Sequence, residues 1–147
     1  MSSDFPLARF ELAQDEGDTY IQAVAELRAG HKQSHWMWFV FPQLAGLGQS
    51  SMSRTYAISS LAEAKAYLHH PVLGRRLIEC TRILAGLEGR TAHDAFGSID
   101  AIKLRSSITL FMRASPDDAL FRDVLGRYFD GVADEATDRL LEASGVA

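Results

Sequence analysis

The chain has 147 residues, 47% hydrophobic, 10% aromatic and 23% charged, with a formal net charge of -4, the make-up of one folded domain over residues 1–147 that needs no disulfide or metal to hold its core. The acidic balance argues against a general affinity for nucleic acid or acidic membranes. The longest apolar run, the seven residues Trp36–Pro42, falls far short of the roughly 20 needed to span a bilayer.

Taken in chain order, the punctuation is that of helices. The N-terminal stretch carries Asp4 and Arg9 and no long apolar segment, so it does not read as a signal peptide, and the cytoplasm is the expected compartment. Phe10, Ala13, Tyr20, Ala23, Val24 and Leu27 recur at helical spacing, with a break near Glu16–Asp18 and a stop at Gly30. Trp36, Met37, Phe39, Val40 and Phe41 read as a core helix, and Gly46–Ser53, rich in Gly and Ser, as a loop. Ser60 followed by Glu63 predicts a capping box, and the helix it opens ends at His70, because Pro71 forbids continuation. In the next helix Leu73, Leu77, Cys80 and Leu84 share one face, and Gly86 and Gly89 mark its end. Thr91 can cap a short helix closed by Gly97, Ser98 a longer one through Met112, and Ser115-Pro116 starts another that ends at Gly131. A last short helix follows Asp134. The expected fold is all-α, a compact single-domain array of about seven or eight short helices joined by short connections.

Charge is unevenly placed. Residues 27–62 contain no Asp or Glu but do contain Arg28, His31, Lys32, His35 and Arg54, whereas Ser115–Glu142 holds eight acids against three arginines. The first stretch is therefore locally electropositive, and an anion site there competes with the simpler reading that its residues are mostly apolar or small. The single cysteine, Cys80, cannot form an internal disulfide, and its apolar face predicts a buried, inert thiol. His69 and His70 are adjacent at a helix end and lack a spaced third ligand, so they read as a solvated terminus; no metal site and no cofactor are expected.

Two segments carry chemistry. In the first, Gly30 to Gln43, the cationic, hydroxyl-bearing turn with Lys32, Ser34 and His35 leads into Trp36 and Trp38, both tryptophans of the chain. Lys32, Ser34 and backbone amides could hold a phosphate while a ring stacks on an indole. The alternative is a buried aromatic helix beside a solvated lysine. In the second, Asp100 to Phe111, helical geometry brings Asp100, Lys103 and Ser107 to within about 60° of one another on the apolar side. Buried unpaired they would be costly, so they must satisfy each other or line a pocket. Asp100 and Lys103 have the spacing of an ion pair. Lys103 and Ser107 have that of a Ser-Lys dyad, which would need a depressed lysine pKa and an oxyanion hole.

The string His31–Leu44 with Gly46-Leu47-Gly48 and Ser50 resembles the signature of a small bacterial family of unknown function. The resemblance extends to Tyr56-Ala57-Ile58, Tyr67-Leu68, His70-Pro71, Leu73-Gly74, Phe96-Gly97, Asp100 with Lys103-Leu104, Ser106-Ser107, Thr109-Leu110-Phe111 and Phe129-Asp130-Gly131. Members are often labelled calpastatin, although a calpain inhibitor would be a long, polar, disordered repeat protein and this chain is compact and apolar. The resemblance implies an all-helical single domain and brings no activity, cofactor or catalytic residue.

Two functions of different class follow. The first is a domain that binds, or acts on, a small phosphate-bearing or other anionic ligand between the Lys32–Gln43 segment and the Asp100–Ser107 helix. Its candidate ligand-binding residues are Lys32, Ser34, His35, Trp36, Trp38, Gln43, Asp100, Lys103 and Ser107. His35, with an unperturbed pKa near neutrality, is the candidate acid or base. The second is a helical protein-interaction module with no small-molecule ligand. A deep polar pocket joining the two segments favours the first, a flat exposed apolar patch the second.

Overall fold

A computed structural model describes residues 5–144. Its helices are α1 (Ala8–Asp15), α2 (Thr19–Ala29), α3 (Met37–Val40), α4 (Ser51–Thr55), α5 (Leu61–His69), α6 (Leu73–Gly86), α7 (Ala92–Ala114), α8 (Ala119–Phe129) and α9 (Glu135–Ala143). No strand forms among the described residues. The one piece of extended pairing among the described residues is a parallel bridge between Leu44 and Ile58, in which Ile58 N–H donates to Gln43 O and Ala45 N–H to Ile58 O, both at 2.8 Å. The fold is all-α, as the periodicity predicts.

The breaks lie where the backbone demands them. Gly17 and Asp18 both adopt left-handed φ, 58° and 59°, in a 3₁₀ turn that separates α1 from α2. Gly97, at φ 78° and ψ 168°, interrupts α7, so the two helices expected around it run end to end as one kinked element. Thr91 and Asp94 complete a reciprocal capping box at its start. At α5 the box is only half closed. Ser60 Oγ accepts from Glu63 N–H at 3.1 Å, but the Glu63 carboxylate accepts from Ser59 N–H and from Arg9 instead.

Several boundaries differ from expectation for identifiable reasons. His69 bonds the Lys65 carbonyl, as a terminal histidine should, but His70 is not a solvated end. Its Nδ1 accepts the N–H groups of Val72 and Leu73, both at 3.1 Å, and thereby caps the start of α6. Ser115-Pro116 does not open α8. Ser115 Oγ donates back to Phe111 O at the end of α7, and Asp118 caps α8 by accepting from Leu120 N–H at 2.9 Å. The Trp36–Phe41 helix is a single turn, α3, and the Gly/Ser loop contains α4, capped by Ser50.

The core is continuous. Kinked α7 is its axis, packed against α3, α5, α8 and α9, while α6 packs against α2, α5 and α8. Phe10, Trp36, Phe41, Tyr67, Leu77, Leu84, Leu104, Ile108, Phe111 and Phe121 are buried there, and burying each large apolar side chain contributes about 1.5–3 kcal/mol. The Leu73, Leu77, Cys80, Leu84 face is buried as predicted, and burial pushes the Cys80 thiol up to about 12, away from any nucleophilic role. No helix among the described residues is long and apolar enough to cross a membrane.

Candidate functional site

The site begins at the inner face of α2, where Ala23, Glu26 and Leu27 point into the core. Gly30, at φ 70°, ends the helix, and the chain then folds over the Glu26 carboxylate. Oε1 accepts from Gln33 N–H at 2.8 Å, from Ser34 N–H at 2.9 Å and from Trp36 Nε1–H at 2.9 Å, while Oε2 accepts from the Ser34 hydroxyl. Burial pushes the pKa of this acid up. The donors, led by the Ser34 hydroxyl and the two backbone amides, outweigh that and hold it at about 2. Glu26 is therefore an anion that fixes the shape of the turn.

The turn places Lys32. Its N–H donates to Ala95 O at 2.7 Å, stitching it to the first segment of α7. Its side chain, only 6% exposed, donates to Ser34 O and lies 2.8 Å from Asp100 Oδ2, with the ammonium 5.0 Å from the centre of the Trp36 ring. The other oxygen of Asp100 lies 3.4 Å from Lys103 Nζ, and that ammonium sits 4.5 Å from the centre of the Trp38 ring. One carboxylate is thus shared by two ammoniums, and a positive charge is left over. Gly97 matters here because its kink starts the second segment of α7 at this point. Gly97, Ser98, Ile99 and Asp100 form one wall of a cleft of about 360 Å³, with Lys32, His35, Met37 and Trp38 opposite.

Five of the predicted residues meet in this cleft: Lys32, His35, Trp38, Asp100 and Lys103. The others lie elsewhere. Trp36 is fully buried with its N–H committed to Glu26, so no ring can stack on it. The Ser34 hydroxyl is committed to the same acid. Gln43 serves the Ile58 bridge through its carbonyl and is not part of the cleft wall. Ser107 is buried inside α7 and its hydroxyl has no hydrogen-bond partner, while Lys103 turns to Asp100, so the two form no dyad. Among the described residues no cluster of three metal-ligating side chains occurs.

Sequence reasoning missed Glu26, the acid on which the turn is built. The signal was present: at helical spacing Glu26 shares the face of Ala23 and Leu27, and an acid on an apolar face must find donors. It also missed Phe96 to Ile99 as a wall, which depends on the direction of the Gly97 kink.

Residues 4–141 match a family described as protein of unknown function, DUF1810. The chain is also similar to the conserved hypothetical protein Rv1873 from Mycobacterium tuberculosis, whose crystal structure aligns with a TM-score of 0.92 at 48% identity, covering 95% of this chain and 99% of that one. No curated protein matches.

Proposed function

Because the chain belongs to the DUF1810 family, whose description names no activity, the reading rests on the cleft itself, and we propose that it binds a small, phosphate-bearing or similar anion at Lys103. The observation that carries this is the sharing of Asp100 by two ammoniums, at 2.8 and 3.4 Å. Lys32 is almost fully enclosed and satisfied, so it acts as the anchor that orients Asp100. Lys103, 23% exposed, supplies the unneutralised charge. The start of the second α7 segment adds the positive end of a helix dipole. His35, exposed at the rim, donates a further hydrogen bond when protonated and is the acid or base if the anion is a substrate. We place this activity in a single-domain cytoplasmic protein.

The test is a set of thermal melts of wild type and Lys103→Ala with inorganic phosphate, nucleotides and ADP-ribose-like compounds. A ligand that binds only the folded state raises the melting temperature. The expected result is a shift in wild type and a 10- to 100-fold loss of affinity in Lys103→Ala, the worth of one charged hydrogen bond of about 1.5–3 kcal/mol.

A second reading has its own support. Ile99 and Ile102 are 70% and 65% exposed on successive turns of α7 beside the cleft, the kind of apolar patch an interaction module would cover. A panel that shifts no melting temperature, together with concentration-dependent association that Ile102→Asp abolishes, would favour that reading.

A further inference from the structure

A second cationic surface lies away from this cleft, between α2 and α6. Arg75, Arg76 and Arg82 come from α6 and Arg28 from the last turn of α2, and together they border a groove of about 950 Å³ with the side chains of Tyr20 and Ile78. Arg76 is occupied. It pairs with Asp15 at 2.8 Å, donates to Gln14 Oε1 at 3.1 Å and lies over the Tyr20 ring. Arg28, Arg75 and Arg82 are exposed and make no hydrogen bond or ion pair among the described residues.

Their freedom is informative because an acid stands within helical reach. Glu79 follows Arg75 by four residues and precedes Arg82 by three, the spacings at which acid and base pair on one helix. Its carboxylate, itself part of the groove wall, instead accepts the Tyr20 hydroxyl and pairs with neither guanidinium, so the four arginines that border the groove outnumber its one acid. The floor under them is fixed. A Cβ on Gly74 would stand 2.0 Å from Leu68 O, so α6 leaves the α5 end at a contact only glycine permits. The groove therefore presents three free planar forks on a set scaffold, in a chain whose net charge is -4. Guanidinium forks match phosphate oxygens two at a time, and Arg75 and Arg82 start two turns apart on α6, about 10 Å along the helix axis, a span that suits linked phosphates better than a single one.

We propose that the α2–α6 groove is an anion site, distinct from the Lys103 cleft, that takes a small anion with two or more linked phosphate groups, held by Arg28, Arg75 and Arg82. Such a group reaches the chain free or as the tail of a nucleotide. Titration calorimetry at constant ionic strength tests this with tripolyphosphate, adenosine triphosphate and orthophosphate as probes. Wild type is expected to bind tripolyphosphate at least tenfold more tightly than orthophosphate. Arg28→Gln and Arg82→Gln, at exposed positions without a hydrogen bond or ion pair among the described residues, each weaken it 10- to 100-fold, while Arg54→Gln, an equal charge loss on α4, leaves it within twofold. Adenosine triphosphate binding more tightly than tripolyphosphate assigns the site to a nucleotide, and equal affinity assigns it to the phosphate chain alone. No tripolyphosphate binding at millimolar concentration overturns the proposal. So does binding that Arg54→Gln or Lys103→Ala weakens as much as the groove variants do, which would trace it to net charge or to the other cleft.

Discussion

Glu26 and Asp100 are each a single carboxylate that gathers several donors, and they end differently. Glu26, 9% exposed, receives four donors and has no cation among them. Its charge is spent on backbone amides, a hydroxyl and an indole, and the result is a closed, rigid turn. Asp100 sits at the mouth of a cleft and receives two full cations, so the local charge is not cancelled but reversed. The first arrangement organises structure. The second leaves an unmet electrostatic demand, which is what a binding site requires. The two are coupled, because the turn that Glu26 fixes is the one that carries Lys32 to Asp100.

The harshest way to break this comparison is Glu26→Ala. The Gln33 and Ser34 amides, the Ser34 hydroxyl and the buried Trp36 indole would all lose their acceptor at once. The expected cost is about 4 kcal/mol, since orphaned buried donors cost about 1–3 kcal/mol each and part of the turn can relax toward water. Urea unfolding followed by circular dichroism reads it. A loss below about 1 kcal/mol would mean that the turn stands without the carboxylate.

A milder probe is pH. Glu26 is held at about 2 in the folded protein against an ordinary value of 4.5, so the folded state binds the proton more weakly than the unfolded one. Its contribution is fully present above about pH 4.5 and is lost as pH falls through 2. It amounts to about 3 kcal/mol at neutral pH. Wild type and Glu26→Gln should therefore differ most in stability above pH 5 and converge as the pH approaches 2. A difference that stays constant from pH 6 to pH 2.5 would place the loss in the shape of the amide rather than in the charge.

How much of this could be read from the residues follows from the range of the forces. The helices were legible because periodicity, Thr91, Asp134, Gly30 and Gly97 act within a turn or two. The cap of α6 and the start of α8 were not, because His70 and Asp118 compete with neighbouring residues for those amides and only the packed chain decides between them. The Asp100–Lys103 pair was legible as a three-residue spacing. The bond from Lys32 to Asp100 joins residues nearly half the chain apart, and no local pattern fixes it, although the acid-free stretch of residues 27–62 marks the surrounding turn as electropositive. Trp36 and Ser34 have the chemistry of ligand groups in the sequence, and only the packed chain brings them to Glu26, which lies just outside that stretch.

The comparison is sharpened by the two lysines that share Asp100. Lys32→Ala removes an enclosed ammonium from Asp100 and Ser34 O, and should cost about 2 kcal/mol. Lys103→Ala removes a partly exposed partner from the same carboxylate and a cation from the Trp38 face, and should cost about 1 kcal/mol or less. Anion affinity should rank the other way, with Lys103→Ala losing more. Chemical denaturation of both variants, beside the ligand melts, gives the two orders. If Lys103→Ala proves as destabilising as Lys32→Ala, Lys103 is structural and the surplus charge at the cleft is not available to a ligand.

The smallest expected effect separates a buried hydroxyl from a working one. Ser107 lies one turn beyond Lys103 on α7, fully buried, and its Oγ has no partner. Its neighbours on the same helix are engaged, Ser106 Oγ with Asp134 Oδ2 at 3.2 Å and Thr109 Oγ1 with Asp134 N–H at 2.9 Å. Those contacts tie α7 to the start of α9, and Ser107 takes no part in them. A buried polar group without a bond is a cost to the fold, and an apolar replacement of nearly the same size removes that cost. Ser107→Ala should therefore leave stability unchanged or raise it by about 0.5–1 kcal/mol, whereas Thr109→Val should lower it by about 1 kcal/mol. Differential scanning calorimetry resolves the pair. Neither substitution should alter anion binding at Lys103, since neither side chain reaches the cleft. A Ser107→Ala protein that loses more than about 1 kcal/mol, or loses the ligand-induced shift, would show that the hydroxyl is bonded after all and would bring Lys103 and Ser107 back together as a functional pair.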